Sequence, residues 1–151
     1  MSWYIGLMTG TVLDGNIDVA FLRTDGKTIE KFGYYDLVPY SEGVKSLIIS
    51  ALNEAKRWNF IGKEPEIFSK AEVALTKSQA EAVQKCIKLA GINKKEISAI
   101  GFHGQTVLHR PANKVIKGAT RQLGDGQAMN NTLDIPVVYD FRTHDIEEGG
   151  Q

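Results

Sequence analysis

A single cysteine, Cys86, among 151 residues rules out an internal disulfide framework, and neither sign of charge is in excess, with 18 Lys and Arg against 18 Asp and Glu. That balance, with no run or stripe of basic residues, removes the electrostatic footprint of a nucleic-acid or anionic-membrane binder and points to a small partner. No apolar stretch approaches the roughly 20 residues that cross a bilayer. Met1-Ser2-Trp3-Tyr4 enters a strand-like run without the basic and apolar regions of an export signal, so the expectation is a cytoplasmic protein. The phosphate-binding pattern GxxxxGK[ST] is missing, which assigns any phosphate site to another class. Repeats, low-complexity tracts and linker-like stretches are also missing, so one domain is expected over residues 1–151.

The chain does have 42% hydrophobic residues, enough for a sizeable core. Apolar and β-branched residues over 3–8 and 17–23 flank a polar, Gly-rich stretch and read as strand, turn, strand. Thr24-Asp25-Gly26 carries turn chemistry, and residues 28–38 read as a third strand. Ser41 is a good N-cap for a helix in which Val44, Leu47, Ile48, Ala51, Leu52 and Ala55 recur at helical spacing up to Trp58. The spacing predicts a second helix over 66–90, ended by Gly91, with Ala71, Leu75, Ser78, Ala82, Cys86 and Leu89 on its apolar line; Cys86 is then a buried hydrophobe rather than a nucleophile. Trp3, Trp58 and the tyrosines are expected to pack in the core or at its edge.

A short buried strand follows at 98–102, then an extended hairpin or loop over 106–123, a short helix over 124–133 opened by Asp125, and a last strand over 135–141 with Pro136 at its start. Three antiparallel strands followed by helix-connected strands predict an α/β fold with a mixed five-stranded sheet of the ribonuclease-H-like type, its later strands joining in parallel through right-handed crossovers.

Four segments can carry chemistry. In Gly10-Thr11-Val12-Leu13-Asp14-Gly15 two glycines, a hydroxyl and a carboxylate share one turn, which suits either a phosphate loop with Asp14 holding a hydrated Mg²⁺ or a plain hairpin turn. Gly101-Phe102-His103-Gly104-Gln105-Thr106 follows a strand, where crevices of open α/β sheets lie, and His103, Gln105 and Thr106 suit sugar hydroxyls or an N-acetyl group; a strand exit with a satisfied imidazole is the other reading. In Asp140-Phe141-Arg142-Thr143-His144-Asp145 a carboxylate past a strand can accept a proton, with Asp145 preferred over an Asp140 that caps or pairs with Arg142. Gln122-Leu123-Gly124-Asp125-Gly126 precedes a helix, with Asp125 as its N-cap rather than a catalytic acid.

These four segments together, with Val107-Leu108-His109-Arg110-Pro111 extending the second and Gly149-Gly150-Gln151 closing the last, resemble the anhydro-N-acetylmuramic acid kinase family, most closely its alphaproteobacterial forms. The resemblance implies the two-domain fold of the actin, hexokinase and Hsp70 superfamily, of which residues 1–151 are the amino-terminal ribonuclease-H-like domain and the second domain is absent. It implies conversion of 1,6-anhydro-N-acetylmuramic acid, ATP and water to N-acetylmuramic acid 6-phosphate and ADP in peptidoglycan recycling. Gly10, Thr11, Val12, Leu13, Asp14, Gly15, Asn16 and Ile17 would be the first phosphate loop for ATP, and Asp14 would place Mg²⁺. Asp145 would be the base, and His103, Gln105, Thr106 and Arg142 would line the sugar side. Val12 stands where the family usually has Ser, which implies weaker nucleotide binding. Negligible turnover by these residues alone, and a homodimer or a separate carboxy-terminal half as partner, are the further expectations. The rivals are a non-catalytic remnant and a two-metal nuclease using Asp14, Asp18, Asp140 and Asp145.

Overall fold

A computed structural model describes residues 1–9 and 15–150. Strands β1 (Ser2–Thr9), β2 (Asn16–Thr24) and β3 (Ile29–Pro39) form an antiparallel meander. Two helices follow, α1 (Glu42–Trp58) and α2 (Ile67–Ala90), then a 3₁₀ turn at Lys94–Glu96 and strand β4 (Ile97–Phe102). A hairpin of β5 (Gln105–Arg110) and β6 (Ala119–Leu123) leads to α3 (Gly126–Leu133), β7 (Val137–Tyr139) and the short α4 (Thr143–Glu147).

The main sheet has the order β3-β2-β1-β4-β7, with β4 parallel to β1 and β7 parallel to β4. That is the expected mixed five-stranded sheet. The connections β3 to β4 and β4 to β7 step in the same direction across the sheet, so right-handed crossovers put α1, α2 and α3 on one face. Strand alternation supplies that face with Ile5, Leu7, Ile17, Val19, Phe21, Ile100 and Phe102, all buried against Leu75, Val83 and Cys86 of α2 and Met129 of α3. Cys86 is a core residue, and burial pushes its thiol pKa up.

The expected helix signals are in place. Ser41 Oγ accepts from Val44 N (3.3 Å), Asp125 Oδ1 accepts from Ala128 N (2.9 Å), and Gly91 ends α2 at φ 64°. Trp3 is buried, and Trp58 stacks edge-on against Phe68. Three readings need correction, the first that the tyrosines pack in the core or at its edge: Tyr40 is buried, but Tyr35 and Tyr139 are exposed. Leu89 is exposed, because the buried line of α2 drifts away from it after Cys86. The last strand spans Val137–Tyr139 rather than 135–141: Pro136 has no N–H to give, although its carbonyl accepts from Ile100 N (2.8 Å), and Asp140 at φ 57° turns the chain away. Helix α4 was not foreseen. Among the described residues no helix is long and apolar enough to cross a membrane.

Candidate active site

The parallel strands β1, β4 and β7 all end on one edge of the sheet, and three of the four segments singled out from the sequence follow them there, while the fourth follows β6 of the hairpin. Thr9, at the end of β1, donates from Oγ1 to Gly104 O (3.2 Å), a buried bond that ties the first segment to the second. Gly104 sits at φ 71°, and a β-carbon on it would collide with Leu123 O, so only glycine lets the chain leaving β4 cross this close to the end of β6.

A cleft of about 150 Å³ opens there, lined by Phe102, His103, Gly104, Thr120, Gln122 and Gly124 on one side and Tyr139, Asp140 and Thr143 on the other. His103 Nδ1 lies 3.1 Å from Gly104 O. A carbonyl only accepts, so Nδ1 carries the proton in that contact and Nε2 is left as the acceptor of the neutral ring. Thr106 Oγ1 and Thr120 Oγ1 both accept from Gln122 Nε2, at 3.2 and 2.6 Å, and Thr120 Oγ1 meets His109 Nδ1 at 3.2 Å. A polar ladder therefore runs along one face of the hairpin. Burial first, and then the charge of Arg142, lower the pKa of His109 and favour its neutral form.

The hairpin is fixed to α2 from behind. Arg121 donates from Nε and Nη2 to the two carboxylate oxygens of Glu64 (2.8 and 3.2 Å) and from Nη1 to Glu72 (3.3 Å), while Glu72 also accepts from Gly124 N (2.9 Å). Burial by itself works against the guanidinium charge, but Glu64 and Glu72 outweigh it and the pKa of Arg121 stands raised. Thr76 Oγ1 accepts from Asp125 N (3.1 Å), completing the clamp on the segment that opens α3.

Of the residues expected on the sugar side, His103 lines the cleft and Thr106 is joined to it through Gln122. Gln105 is buried, with its amide donating to Thr106 O (3.2 Å), and Arg142 is outside the lining of the cleft, near enough for its charge to act on His109. Asp140 does not pair with Arg142; its Oδ1 accepts from Thr143 Oγ1 at 2.5 Å. Asp145 is exposed on α4, its carboxylate crowded against Gly150 and its carbonyl accepting from Gly150 N (2.7 Å), outside the lining of the cleft. Helix α4 is held by Ile146, which is buried and packs on Gly118. Thr120 was not singled out, and Gln122 was named only as the start of the fourth segment with no role of its own, although strand alternation within 119–123 places the two on one face.

In the phosphate-loop segment, Gly10, Thr11, Val12, Leu13 and Asp14 lie outside the described residues. Gly15 follows them at φ 73°, its carbonyl accepting from Tyr40 N (2.7 Å), while Asn16 and Ile17 begin β2 and Ile17 is buried opposite Thr9. Asp18, the remaining acid of the nuclease reading, lies on the opposite face of the sheet and accepts from Tyr35 Oη (3.0 Å). Among the described residues no group of three or more His, Cys, Asp or Glu is placed to hold a metal ion.

A sheet of this order with a polar cleft at the carboxyl ends of its parallel strands is a domain of the actin-like ATPase and sugar-kinase class. The family model for anhydro-N-acetylmuramic acid kinase matches residues 2–151. The chain is 52% identical over 149 residues to the anhydro-N-acetylmuramic acid kinase of Mesorhizobium japonicum and 54% identical over 149 residues to that of Brucella anthropi, each alignment taking in 99% of this chain and 40% of the relative. It is 52% identical over 151 residues to anhydro-N-acetylmuramic acid kinase 2 of a Jannaschia species, again covering 40% of that protein. The chain belongs to the anhydro-N-acetylmuramic acid kinase family. It spans about 40% of the length of these curated relatives.

Proposed function

We propose that this chain forms the amino-terminal, ribonuclease-H-like domain of an ATP-dependent kinase that opens the 1,6-anhydro ring of anhydro-N-acetylmuramic acid and phosphorylates its O6. The match to the family over residues 2–151 carries this reading. The site residues support it: the segments that would meet nucleotide and sugar leave one edge of the sheet, joined by the Thr9–Gly104 bond. The product is N-acetylmuramic acid 6-phosphate, and the reaction belongs to cytoplasmic recycling of peptidoglycan.

In this reading Asp145 takes a proton from the water that attacks the anomeric carbon, the bond from that carbon to O6 breaks, and O6 receives the γ-phosphoryl of ATP. His103, Gln105, Thr106 and Arg142 orient the sugar, with His103 Nε2 as an acceptor for a hydroxyl or amide hydrogen. Gly10 to Ile17 hold the phosphates. Gly15, Asn16 and Ile17 are the described part of that segment, and the left-handed Gly15, whose carbonyl accepts from Tyr40 N just before α1, suits a tight approach of backbone to phosphate. A divalent cation, Mg²⁺ being the natural choice, would neutralise charge on the phosphates, with Asp14 as the residue to hold it through water. Phosphoryl transfer rests on positioning and charge compensation, so these parts are the ones the reaction needs.

The test is phosphorylation of 1,6-anhydro-N-acetylmuramic acid by Mg-ATP, followed as ADP release and sugar phosphate by mass spectrometry, with this chain alone and joined to the remaining length of a relative. The joined protein should turn over, Asp145→Asn should reduce turnover by about 10²-fold or more, Asp140→Asn should reduce it by much less, and the chain alone should be negligible. Absence of sugar phosphate from the joined protein would reject the reading. An Asp140→Asn loss exceeding that of Asp145→Asn would move the base to Asp140.

A further inference from the structure

Strands β4 and β7 pair in register at Phe102 and Tyr139, and the two aromatic rings are put to different uses. Each packs on a glycine of the turn that opens α3. A β-carbon on Gly124 would come within 2.8 Å of the Phe102 ring, and one on Gly126 would collide with the Tyr139 ring. A residue without a side chain at 126 is therefore what lets the Tyr139 ring settle this close to the first turn of α3. Phe102 is buried in the core, whereas Tyr139 is 47% exposed and forms part of the lining of the cleft.

The cleft thus combines an aromatic ring on the β7 side with the hydrogen-bonding groups of His103, Thr120 and Gln122 on the hairpin side. Arg121, the arginine of the lining, is already committed to Glu64 and Glu72, so the walls offer a ligand hydrogen bonds and apolar surface rather than a free guanidinium. A phosphate would favour the opposite, positive charge in place of an aromatic face. A pyranose ring has the complementary make-up: a face of C–H groups that packs on an aromatic ring, and a rim of hydroxyls that hydrogen-bond.

We propose that Tyr139 is the platform on which the sugar ring stacks, and that Gly126 is the positioning residue that sets where this platform lies. The assignment rests on the sugar reading of the cleft above and adds to it a binding residue from β7, across from His103. Stacking on Tyr139 fixes the plane of the sugar, and the hydrogen bonds of the hairpin side fix its rotation within that plane.

The experiment is titration of this chain with 1,6-anhydro-N-acetylmuramic acid and, separately, with adenosine, followed by proton NMR for the wild type, Tyr139→Phe, Tyr139→Ala and Gly126→Ala. Hydrogens held over an aromatic face are shielded, so C–H resonances of the sugar should move upfield on binding to the wild type. That shift should persist in Tyr139→Phe and vanish in Tyr139→Ala, whose affinity should fall by about fivefold or more. Gly126→Ala, which displaces the ring while keeping it, should weaken binding by about threefold or more. Sugar binding without an upfield shift, or with equal affinity in Tyr139→Ala, would overturn the platform and leave the sugar reading standing. Failure of the wild type to bind the sugar would overturn that reading and this inference with it. An upfield shift of adenosine in place of the sugar would give the ring to a base and likewise overturn the platform. Should Tyr139→Ala not fold, the wild-type shift and the affinity of Gly126→Ala decide the matter in the same way.

Discussion

Tyr40 lies at the junction of β3 and α1, buried, with its phenol oxygen accepting from Gln79 Nε2 (2.7 Å), while Gln79 Oε1 has no partner among the described residues. Burial pushes the Tyr40 pKa well above its usual value of 10.0, and the bond from Gln79 opposes that shift without cancelling it. The phenol thus stays neutral in the folded state at a pH where the unfolded chain would ionise it. Its contribution to stability is fully present below about pH 10 and is lost as the pH rises from there toward the folded-state pKa. The Cys86 thiol, also raised by burial, acts with the same sign. Urea unfolding should therefore show stability beginning to fall above about pH 9, where Cys86 ionises in the unfolded chain, and falling more steeply above about pH 10, where Tyr40 joins it, by up to about 1.4 kcal/mol per pH unit for each group. Tyr40→Phe should cost about 1–3 kcal/mol at neutral pH, because the Gln79 amide loses its partner, and should flatten the alkaline slope. An identical slope in the two proteins would show that the phenol is not the titrating group.

Helix α4 spans only Thr143–Glu147, too short to be stable by itself, yet it carries Asp145. Its hold on the rest is tertiary: Ile146 is buried, and a β-carbon on Gly118 would come within 3.0 Å of Ile146 Cγ2, so a small residue at 118 is what lets the helix seat on the strand connection. Ile146→Ala should release α4 locally. Amide hydrogen exchange at residues 143–148 should accelerate by about tenfold or more while amides of β1 and β4 keep their protection, and uniform acceleration across the sheet would argue that α4 belongs to the global unfolding unit. What could be read from sequence follows the same division between local and tertiary causes. The meander, α1, α2 and α3 were legible because period-2 and period-3.6 patterns and the caps Ser41, Gly91 and Asp125 are encoded within each segment. Helix α4 and the Glu64–Arg121–Glu72 clamp were not, because the first depends on one buried side chain meeting Gly118 and the second joins residues about 50 positions apart. The same holds for the site: His103 could be named from its place after a strand, whereas Thr120, and the part Gln122 plays beside it, depend on a hairpin that forms its own two-stranded sheet.

At the scale of the whole molecule, the direction of the crossovers has a consequence for solution behaviour. All of α1, α2 and α3 lie over one face of the main sheet, and the register places Tyr4, Met8, Ala20, Leu22, Phe32, Tyr35, Leu37 and Val138 on the other. Phe32 is 78% exposed, Tyr35 56%, Met8 55% and Val138 55%, and Tyr4, Leu22 and Phe32 are successive cross-strand neighbours, so this face carries an apolar row across β1, β2 and β3. Beside it, β3 is an eleven-residue edge strand with one side unpaired in the sheet. An apolar sheet face ending in a long open edge favours association, and the chain by itself should self-associate as its concentration rises. Sedimentation velocity over a hundredfold range of concentration should show the weight-average coefficient increasing. The double variant Phe32→Lys, Leu37→Lys should shift the onset to about tenfold higher concentration without changing the far-ultraviolet circular dichroism spectrum, since both side chains point away from the core. A wild type that stays monomeric across that range would mean that the twist of the sheet and the hydroxyl and carboxylate of Tyr35 and Asp18, bonded across this face at 3.0 Å, are enough to keep it hydrated.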